Sequence, residues 1–319
     1  MSKTYYTTIG LEVHAELKTA SKMFCGCKND HLEDRPNVNI CPICTAHPGT
    51  LPVPNKKAIE NVIQVGLALG GTIADFTEFD RKNYFYPDIP KGYQISQYKY
   101  PIVSGGELAG VTITRVHLEE DTANSKHPSR DLVQEGEKAD YSLIDYNRAG
   151  MPLMELVTEP VIHSAKQAGD FGRELQLLLR TLDVSDAQME QGQMRVELNI
   201  SISDDPAVFG TKVEVKNINS FRAVEKAAEY EIKRMTELLE TGRSHEIVQE
   251  TRGWDDAKGE TYSQRAKENA QDYRYFPEPD IPKFKLHELF DLEEMRTNLP
   301  ELAWNKRERF SKSYGLKED

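Results

Sequence analysis

The sequence predicts an α+β fold, with a mainly antiparallel sheet flanked by helices. Several strand-like segments follow one another without an intervening helix, which favours antiparallel or mixed pairing over a doubly wound sheet. Residues 7–15 and 195–202 alternate apolar and polar side chains, as expected of strands with one buried face. The sequence contains neither G-x-G-x-x-G nor G-x-x-x-x-G-K-[ST], so any nucleotide site is expected to be of another kind.

The composition argues against a disordered chain, a generally basic surface and a membrane protein. The chain has 319 residues, 38% of them hydrophobic, which is too many for a disordered chain and enough for one large or two modest domains. Lys and Arg total 40 against 52 for Asp and Glu, a net charge of −12 that argues against a surface coated with phosphate-binding charge. No apolar run approaches the ~20 residues of a membrane helix, and the N-terminus carries no export signal, so we expect a cytoplasmic protein without membrane contact.

The local elements follow in order along the chain. After the strand at 7–15, an irregular loop at 24–54 is rich in Asn, Asp and Pro. N-capping Asn and Ser residues, with glycines that end two of the helices, predict helices from Asn55 to residue 67, from Ser164 to residue 182, and from Ser220 to residue 239. Further strands are predicted at 92–98, 111–118, 141–145, 152–157, 195–202 and 211–215. Residues 81–91 are predicted to be a rigid loop or an edge segment, and 124–138 a loop.

Four cysteines lie near the N-terminus, in the pattern Cys-x-Cys followed thirteen residues later by Cys-x-x-Cys. A disulfide framework is not expected in a large unsecreted chain. Two close-spaced pairs are typical of a structural zinc site in which thiolates fill all four positions. The predicted ligands are Cys25, Cys27, Cys41 and Cys44; the alternative is four reduced thiols without a role.

Carboxylates and an imidazole lie on predicted strands. Glu12 and His14 share the polar face of the first strand, and Glu120 belongs to an acidic triplet that follows His117. Glu155 lies within the apolar segment 151–157, where a buried carboxylate needs a partner or a metal. Together such residues could hold Mg²⁺ through oxygen ligands. For each residue alone, a solvated or hydrogen-bonded side chain is the commoner case.

A strand with alternating side chains adds Arg195 and Glu197 to the candidates, and we expect both, with Lys216, to contact a nucleotide. Several further basic residues lie beside aromatic ones and could neutralise a transferring phosphoryl group. Surface ion pairs are the alternative explanation for each of them. The basic candidates are Arg81, Lys82, Arg148, Arg195, Lys212, Lys216, Arg222 and Arg274.

Six longer motifs closely resemble the GatB family, the B subunits of tRNA-dependent amidotransferases. They read IGLEVH at 9–14, DRKNYFYPD at 80–88, HLEED at 117–121, DYNRAG at 145–150, KNINSF at 216–221 and DYRYFPEPD at 272–280. The motifs keep their order over nearly the whole chain. The resemblance implies a catalytic domain with a cradle similar to that of glutamine synthetase.

The resemblance also implies an activity. Family members work in a heterotrimer with the amidase (A) and small (C) subunits, and bind the 3′ end of a mischarged Glu-tRNA(Gln) or Asp-tRNA(Asn). ATP and Mg²⁺ serve to phosphorylate the side-chain carboxylate, and ammonia released from glutamine then displaces the phosphate. Phosphorylation is needed because a carboxylate otherwise has only oxide as its leaving group.

By motif, the resemblance implies that His14, Glu120 and Glu155 bind Mg²⁺, with Glu12 beside them. Lys82, in the Arg-Lys-Asn-Tyr motif, is the implied lining residue of a polar ammonia channel. Three basic residues are assigned to phosphate or acyl-end contacts by the same reasoning: Arg148, Lys216 and Arg274.

Two departures from the family pattern matter. Family members usually carry Asp where this sequence has Glu197, which reaches one methylene further and leaves a metal role open. The family also continues into a helical domain and a tail domain, whereas here we expect a catalytic cradle over 1–292, including the zinc loop at 24–54, and the start of a truncated helical domain over 293–319. A small-molecule carboxylate–amine ligase and a non-catalytic zinc-containing scaffold stay open as alternatives.

Overall fold

The computed structural model describes residues 3–126, 141–266 and 272–316. Within them, strands occupy much of the chain. Their bounds are β1 Tyr6–Glu16, β2 Thr72–Ile73, β3 Phe76–Thr77, β4 Asp80–Asn83, β5 Tyr93–Ser96, β6 Val103–Ser104, β7 Glu107–Leu108, β8 Val111–Glu120, β9 Asn124–Lys126, β10 Leu143–Asp145, β11 Pro152–Thr158, β12 Met194–Ser203, β13 Val213–Lys216, β14 Glu250–Asp255, β15 Glu260–Ala266, β16 Phe276–Pro277 and β17 Phe284–Lys285.

Helices lie between the strand groups rather than after every strand. The α-helices are α1 Lys56–Ala68, α2 Ala165–Thr181, α3 Phe221–Glu240, α4 Leu286–Leu289, α5 Leu292–Thr297 and α6 Ala303–Tyr314. Two short 3₁₀ helices occupy Met189–Gln191 and Ser244–Glu246. Within the residues that the structure describes, no helix is long and apolar enough to cross a membrane.

One ten-stranded sheet organises the fold. Its strand order is β15-β14-β13-β12-β1-β11-β8-β6-β2, with β7 paired to β8. All of its pairings are antiparallel except the parallel pair β13–β14. The α+β prediction with a mostly antiparallel sheet is therefore confirmed, and the parallel strands β13 and β14 are joined through α3.

The central strands β1 and β12 separate an apolar face from a polar one. Alternate residues of β1, from Ile9 through Leu11 and Val13, are fully buried. Their polar neighbours Glu12 and His14 lie opposite Glu197 and Arg195 of β12. Because side chains alternate along a strand, this register aligns polar side chains of both strands on one face.

The apolar face of the sheet packs against the helices in one core. The predicted caps are confirmed: Asn55 accepts from the N–H of Lys57 and Ala58, and Ser164 and Ser220 cap α2 and α3. Each cap satisfies N–H groups that the first turn leaves unpaired. Buried side chains of α1, α2 and α3 belong to the same hydrophobic cluster as those of the sheet.

The motifs DRKNYFYPD at 80–88 and DYRYFPEPD at 272–280 meet in space. Residues predicted as a loop begin with the strand β4, which pairs with β5 on one side and β16 on the other. Arg81 of β4 donates to Glu278, just beyond β16, at 2.7 and 2.9 Å. The prediction of a rigid loop or an edge segment at 81–91 is thus wrong at its start, because β4 is the central strand of three and pairs with a strand almost two hundred residues away.

Smaller differences concern boundaries. Strand β8 extends through Glu120 rather than ending at 118, and the predicted loop at 124–138 begins with β9. The remainder of that loop, 127–138, lies outside the described residues. The cysteine loop at 24–54 contains no helix or extended strand, as predicted. Helix α6 contacts α2 through Arg307 and Glu174 at 2.8 Å, and the boundary at 292/293 stays a prediction.

Candidate active site and metal centre

The polar face of the sheet forms a groove across five adjacent strands. The groove encloses a cavity of about 390 Å³. Its charged wall comes from β8, β11, β1, β12 and β13, and the loop segments before β16 close it with tyrosines. The charged groups that line it are Glu12, His14, Lys82, Arg115, His117, Glu119, Asp121, Glu155, Arg195, Glu197, Lys212, Glu214 and Lys216.

Two imidazoles and two carboxylates meet at the centre of this groove. His14 Nε2 lies 3.3 Å from Glu155 Oε2 and 3.5 Å from Glu119 Oε1. His117 Nε2 lies 3.3 Å from the same oxygen of Glu155. The sheet register explains the row, since His14 is paired with Glu155 and Glu155 with His117 on three adjacent strands. One ligand atom each from His14, Glu119 and Glu155 lie within 4.8 Å of one another.

Electrostatics in this row keep His14, Glu119 and Glu155 charged despite their burial. Burial alone would lower the pKa of His14, but hydrogen bonds to Glu119 and Glu155 outweigh it and raise that pKa to about 10. Burial opposes ionisation of Glu155, yet His117 and His14 hold its pKa well below the usual range. The pKa of Glu119 is also lowered, by His14, against the effect of its burial. Without a metal, the row is thus two ionised carboxylates that share the protonated His14. A divalent cation between the carboxylates would take the place of that proton, because an imidazole that ligates a metal must be neutral.

The predicted metal trio needs one correction, because Glu119 and not Glu120 faces His14 and Glu155. The side chain of Glu120 points to the other face of β8, where it accepts from Ile95 N at 2.9 Å. Its carboxylate also pairs with Lys91 Nζ at 2.7 Å. Successive side chains of a strand point to opposite faces, so the two neighbours cannot share the groove.

A second acidic cluster lies beside the first. Ligand atoms of Glu12, Glu197 and Glu214 lie within 4.8 Å of one another. Lys216 Nζ contacts Glu197 at 2.8 Å and Glu214 at 3.3 Å. Burial raises the pKa of Glu12, and the charges of Glu155 and its other acidic neighbours add to that rise. Asn199 Nδ2 offsets part of it by donating to Glu12 Oε1 at 2.9 Å.

Basic side chains border the groove at the β12 end. Arg195 contacts both oxygens of Asp121 at 3.1 Å and remains 39% exposed, so its outer face is open to a ligand. Arg148 lies on the other side of Asp121, at 3.6 Å. It also donates to the carbonyl oxygens of Thr122 and Ala123, and it is not among the residues that line the groove.

Tyrosines and a lysine close the opposite side. Lys82 lies 4.9 Å from the ring centroid of Tyr273, and Tyr98 stacks on Tyr275 at 4.5 Å. Burial alone would lower the pKa of Lys82. The negative charges of Glu119 and other nearby groups outweigh that effect, so the pKa of Lys82 is raised. Arg274 is exposed and does not line the groove, although Tyr273 and Tyr275 on either side of it do.

Sequence reasoning missed a set of groove residues on β8 and directly after it. His117, Glu119 and Asp121 stand at every second position, so the alternation indicates that they share a face. The acidic triplet hides this alternation, because it places carboxylates on both faces. With the register of β8 against β11, the same alternation selects Glu119.

The four cysteines also meet, apart from the groove. Their Sγ atoms lie within 4.8 Å of one another, and Cys41 Sγ is 3.9 Å from Cys44 Sγ. Four sulfurs about 2.3 Å from a zinc ion would lie about 3.8 Å apart, so this donor set fits a tetrahedral metal. A hydrogen bond from Cys25 is the largest of several effects that lower the pKa of Cys44 to about 5. The four cysteines therefore form a cluster that could hold a metal ion.

A mostly antiparallel sheet thus carries two clusters of potential metal ligands on its polar face, with basic side chains beside them. Residues 7–290 match the family described as the GatB/GatE catalytic domain. The chain belongs to this family, as its motifs indicated.

Several relatives are alike over nearly the whole chain. The chain is 49% identical to a protein of Thermoanaerobacter sp. (strain X514), 50% to one of Caldanaerobacter subterraneus subsp. tengcongensis and 47% to one of Thermus thermophilus. Each is named as the B subunit of an aspartyl/glutamyl-tRNA(Asn/Gln) amidotransferase. The matches cover 98% of this chain and 65% of each relative, so the chain spans about two thirds of their length.

Proposed function

We propose that the groove activates the side-chain carboxylate of a mischarged Glu-tRNA(Gln) or Asp-tRNA(Asn) for amidation, as part of a tRNA-dependent amidotransferase. The observation that carries the proposal is the row of His14, Glu155, His117 and Glu119 across three strands, in a domain of the GatB/GatE catalytic family. An oxygen of the substrate carboxylate attacks the γ-phosphorus of ATP, and ADP leaves. Ammonia then attacks the acyl phosphate, a proton is lost, and inorganic phosphate leaves.

The donor set of the row suits a divalent cation. His14, Glu119 and Glu155 offer one imidazole nitrogen and two carboxylates within metal-binding distance, and the carboxylates are ionised. Mg²⁺ bound there would offset negative charge between the triphosphate and the substrate carboxylate. His14, Glu119 and Glu155 would hold the ion, and Ser96 Oγ, which donates to Glu119 at 3.2 Å, positions that carboxylate.

The nucleotide has candidate partners at the β12 and β13 end. Arg195 and Lys216 are both more than a third exposed and stand on adjacent strands, so each can turn its charge to phosphate oxygens. Glu197 is positioned by Lys216 and could contribute a carboxylate to a second cation with Glu12 and Glu214. Arg148 would act by holding the carbonyl groups that follow Asp121.

Ammonia must reach the groove without gaining a proton. Lys82 and Tyr273 form part of the groove wall next to Glu119, which supports Lys82 as a lining residue where ammonia enters. A fixed positive charge there would disfavour ammonium while leaving neutral ammonia unaffected. Arg274 lies outside the groove and would contact the tRNA end only from its rim.

The cysteine cluster is proposed to hold a structural zinc ion. All four donor positions would be filled by thiolates, so no position is left for substrate. The ion would fix the 24–54 loop, which lacks helices and extended strands of its own. We further propose the amidase (A) and small (C) subunits as partners, and a catalytic domain over 1–292 followed by the start of a helical domain.

The test is ATP cleavage by the complex of this chain with those two partner proteins. ADP release is followed with Mg²⁺, glutamine and either mischarged Glu-tRNA(Gln), correctly charged Gln-tRNA(Gln) or no tRNA. The variant is His14→Ala, and the matched control is His163→Ala, whose imidazole is exposed and contacts the carbonyl of Thr7 at 2.8 Å instead of a carboxylate.

We expect cleavage that requires the mischarged tRNA, disappears in the His14 variant and persists in the control. Removal of a group that organises the reacting charges should lower the rate at least a hundredfold. Cleavage that ignores tRNA would replace this proposal by a small-molecule ligase. Binding of mischarged tRNA and assembly with both partners, without any ATP cleavage at saturating substrate, would support the scaffold instead.

A further inference from the structure

A lysine is buried beside the cysteine cluster. Lys22 is 1% exposed and is among the largest fully buried side chains of the described residues. Its Nζ lies 3.8 Å from Cys44 Sγ and 3.2 Å from the carbonyl oxygen of Tyr146. Lysines are almost never fully buried unless they are paired, because removing an ammonium from water is costly.

The contacts of this ammonium identify what compensates its charge. A carbonyl oxygen is a neutral acceptor and leaves the positive charge unbalanced. The sulfur of Cys44 becomes a full counter-charge when it is a thiolate, and metal binding deprotonates cysteine thiols. The backbone N–H of Cys41 donates to the same sulfur at 3.2 Å. Within the described residues, Cys44 is thus the ligand of the cluster that receives both a backbone hydrogen bond and the Lys22 contact.

The charge balance of the cluster gives this arrangement a purpose. Four thiolates around Zn²⁺ carry a net charge of about −2, which is unfavourable at a sulfur that is itself buried, as that of Cys44 is. A buried ammonium against one sulfur removes half of that charge. Metal binding deprotonates all four thiols, so the negative charge that faces the ammonium is greatest in the metal-loaded state. The lysine therefore favours the metal-loaded state over the metal-free one.

We propose that Lys22 is the counter-ion of the zinc–thiolate centre, a positioning residue whose charge tightens metal binding and withdraws electron density from Cys44. This proposal rests on the proposed zinc site. The segment 146–150 connects this centre to the groove. Lys22 donates to the carbonyl of Tyr146. Four residues later, the carbonyl of Gly150 accepts from the N–H of Met23 at 2.7 Å, and the N–H of Gly150 donates to the carbonyl of Asp121 at 2.9 Å.

The test compares Lys22→Met with Lys28→Met. Both remove one ammonium next to the same loop and keep an unbranched side chain. Lys28 directly follows Cys27, but its ammonium is in solvent, 69% exposed, and pairs with Asp30 at 2.6 Å. Zinc affinity is measured by competition with a chromophoric chelator, using the full chain. The protein is also loaded with Co²⁺, whose sulfur-to-metal charge-transfer bands report the electron density of the thiolates.

We expect Lys22→Met to weaken zinc binding 10- to 100-fold, as for other residues that contact metal ligands, and Lys28→Met to change it less than threefold. Loss of the ammonium makes Cys44 more electron-rich, so the charge-transfer bands of the Co²⁺-loaded Lys22 variant should move to longer wavelength. Thermal unfolding should show that metal stabilises the Lys22 variant less than it stabilises the parent chain.

Other outcomes would overturn the proposal in distinguishable ways. If the unaltered chain binds no zinc, the zinc site itself is refuted and the role of Lys22 with it. If zinc binds the parent and the Lys22 variant with equal affinity and identical Co²⁺ spectra, the site exists but Lys22 is not its counter-ion. A loss of stability that is equal with and without metal would show that Lys22 only supports the fold through Tyr146.

Discussion

The neighbouring residues Glu119 and Glu120 should respond to the same substitution in opposite ways. Both are buried at the end of β8, but only Glu119 faces His14, while Glu120 pairs with Lys91 at 2.7 Å. Glu119→Gln and Glu120→Gln each remove one charge and keep the shape of the side chain. We expect the first to impair cation binding with little effect on stability, and the second to impair stability with little effect on the cation.

The expected size for Glu120→Gln follows from its contacts. The side chains of Lys91 and Glu120 are 12% and 4% exposed, so the variant leaves a buried ammonium without its counter-charge. Breaking a buried pair in this way costs about 3–5 kcal/mol, and the remaining amide oxygen keeps one acceptor, which favours about 3. Unfolding entropy near 2.1 cal/mol/K per residue, over 319 residues, is about 0.7 kcal/mol/K. The melting temperature should therefore fall by roughly 4–5 °C.

For Glu119→Gln the stability terms largely cancel. The variant loses one contact to His14, at 3.5 Å, but it also removes the repulsion between Glu119 and Glu155. His14 keeps its contact with Glu155 at 3.3 Å. We expect a change of less than about 1 kcal/mol in stability. A cation that loses one of two carboxylate ligands should bind at least tenfold more weakly, about 1.4 kcal/mol.

Two measurements on the same preparations decide the matter. Mn²⁺ serves as a paramagnetic probe of the cation site, with Mg²⁺ competing, and thermal unfolding without added metal reports stability. The assignment of Glu119 to the groove is refuted if Glu120→Gln abolishes cation binding at an unchanged melting temperature while Glu119→Gln binds normally. Loss of stability in both variants, with equal cation affinity, would also contradict it.

Three further predictions concern the framework of the site. Arg81→Met should cost about 3–5 kcal/mol in urea unfolding, because it leaves the fully buried Glu278 without the partner that donates to it at 2.7 and 2.9 Å; adding Glu278→Leu should restore most of this loss. Phe171→Ala, on the buried face of α2, should cost about 3–5 kcal/mol by the same measurement. Gly150→Ala should cost about 1–2 kcal/mol in thermal unfolding, because its φ of +83° is unfavourable for a residue with a side chain, although the added carbon would have room, 3.5 Å from its nearest neighbour. The control Gly26→Ala, where nothing lies within 4 Å, should be neutral within about 0.5 kcal/mol.

Each of these predictions has an outcome that contradicts it. A double variant of Arg81 and Glu278 as unstable as the single one would show that shape, not charge, governs that contact. A cost below 1 kcal/mol for Phe171→Ala would mean that the core is not packed as described. Equal effects at Gly150 and Gly26 would remove the backbone conformation as the cause.

Local pattern was enough for much of the secondary structure. The caps at Asn55, Ser164 and Ser220 begin helices where predicted, because a side-chain oxygen at that position satisfies N–H groups of the first turn regardless of the remaining fold. Alternation likewise placed β1 and β12 with their polar residues on one face. The spacing of the four cysteines predicted their convergence, since each pair is close in sequence.

The choice of groove residues depended on pairing between distant strands. Alternation groups Glu119 with His117 on one face of β8, but only the pairing of β8 with β11 shows that this face meets His14, while Glu120 turns toward Lys91. Distant pairing also made a central strand of residues predicted as a rigid loop or an edge segment, where Arg81 meets Glu278. Caps and alternation arise from contacts within a few residues, so the sequence contains them. Register and burial arise from contacts across the chain, and only the folded sheet decides which carboxylate meets a histidine.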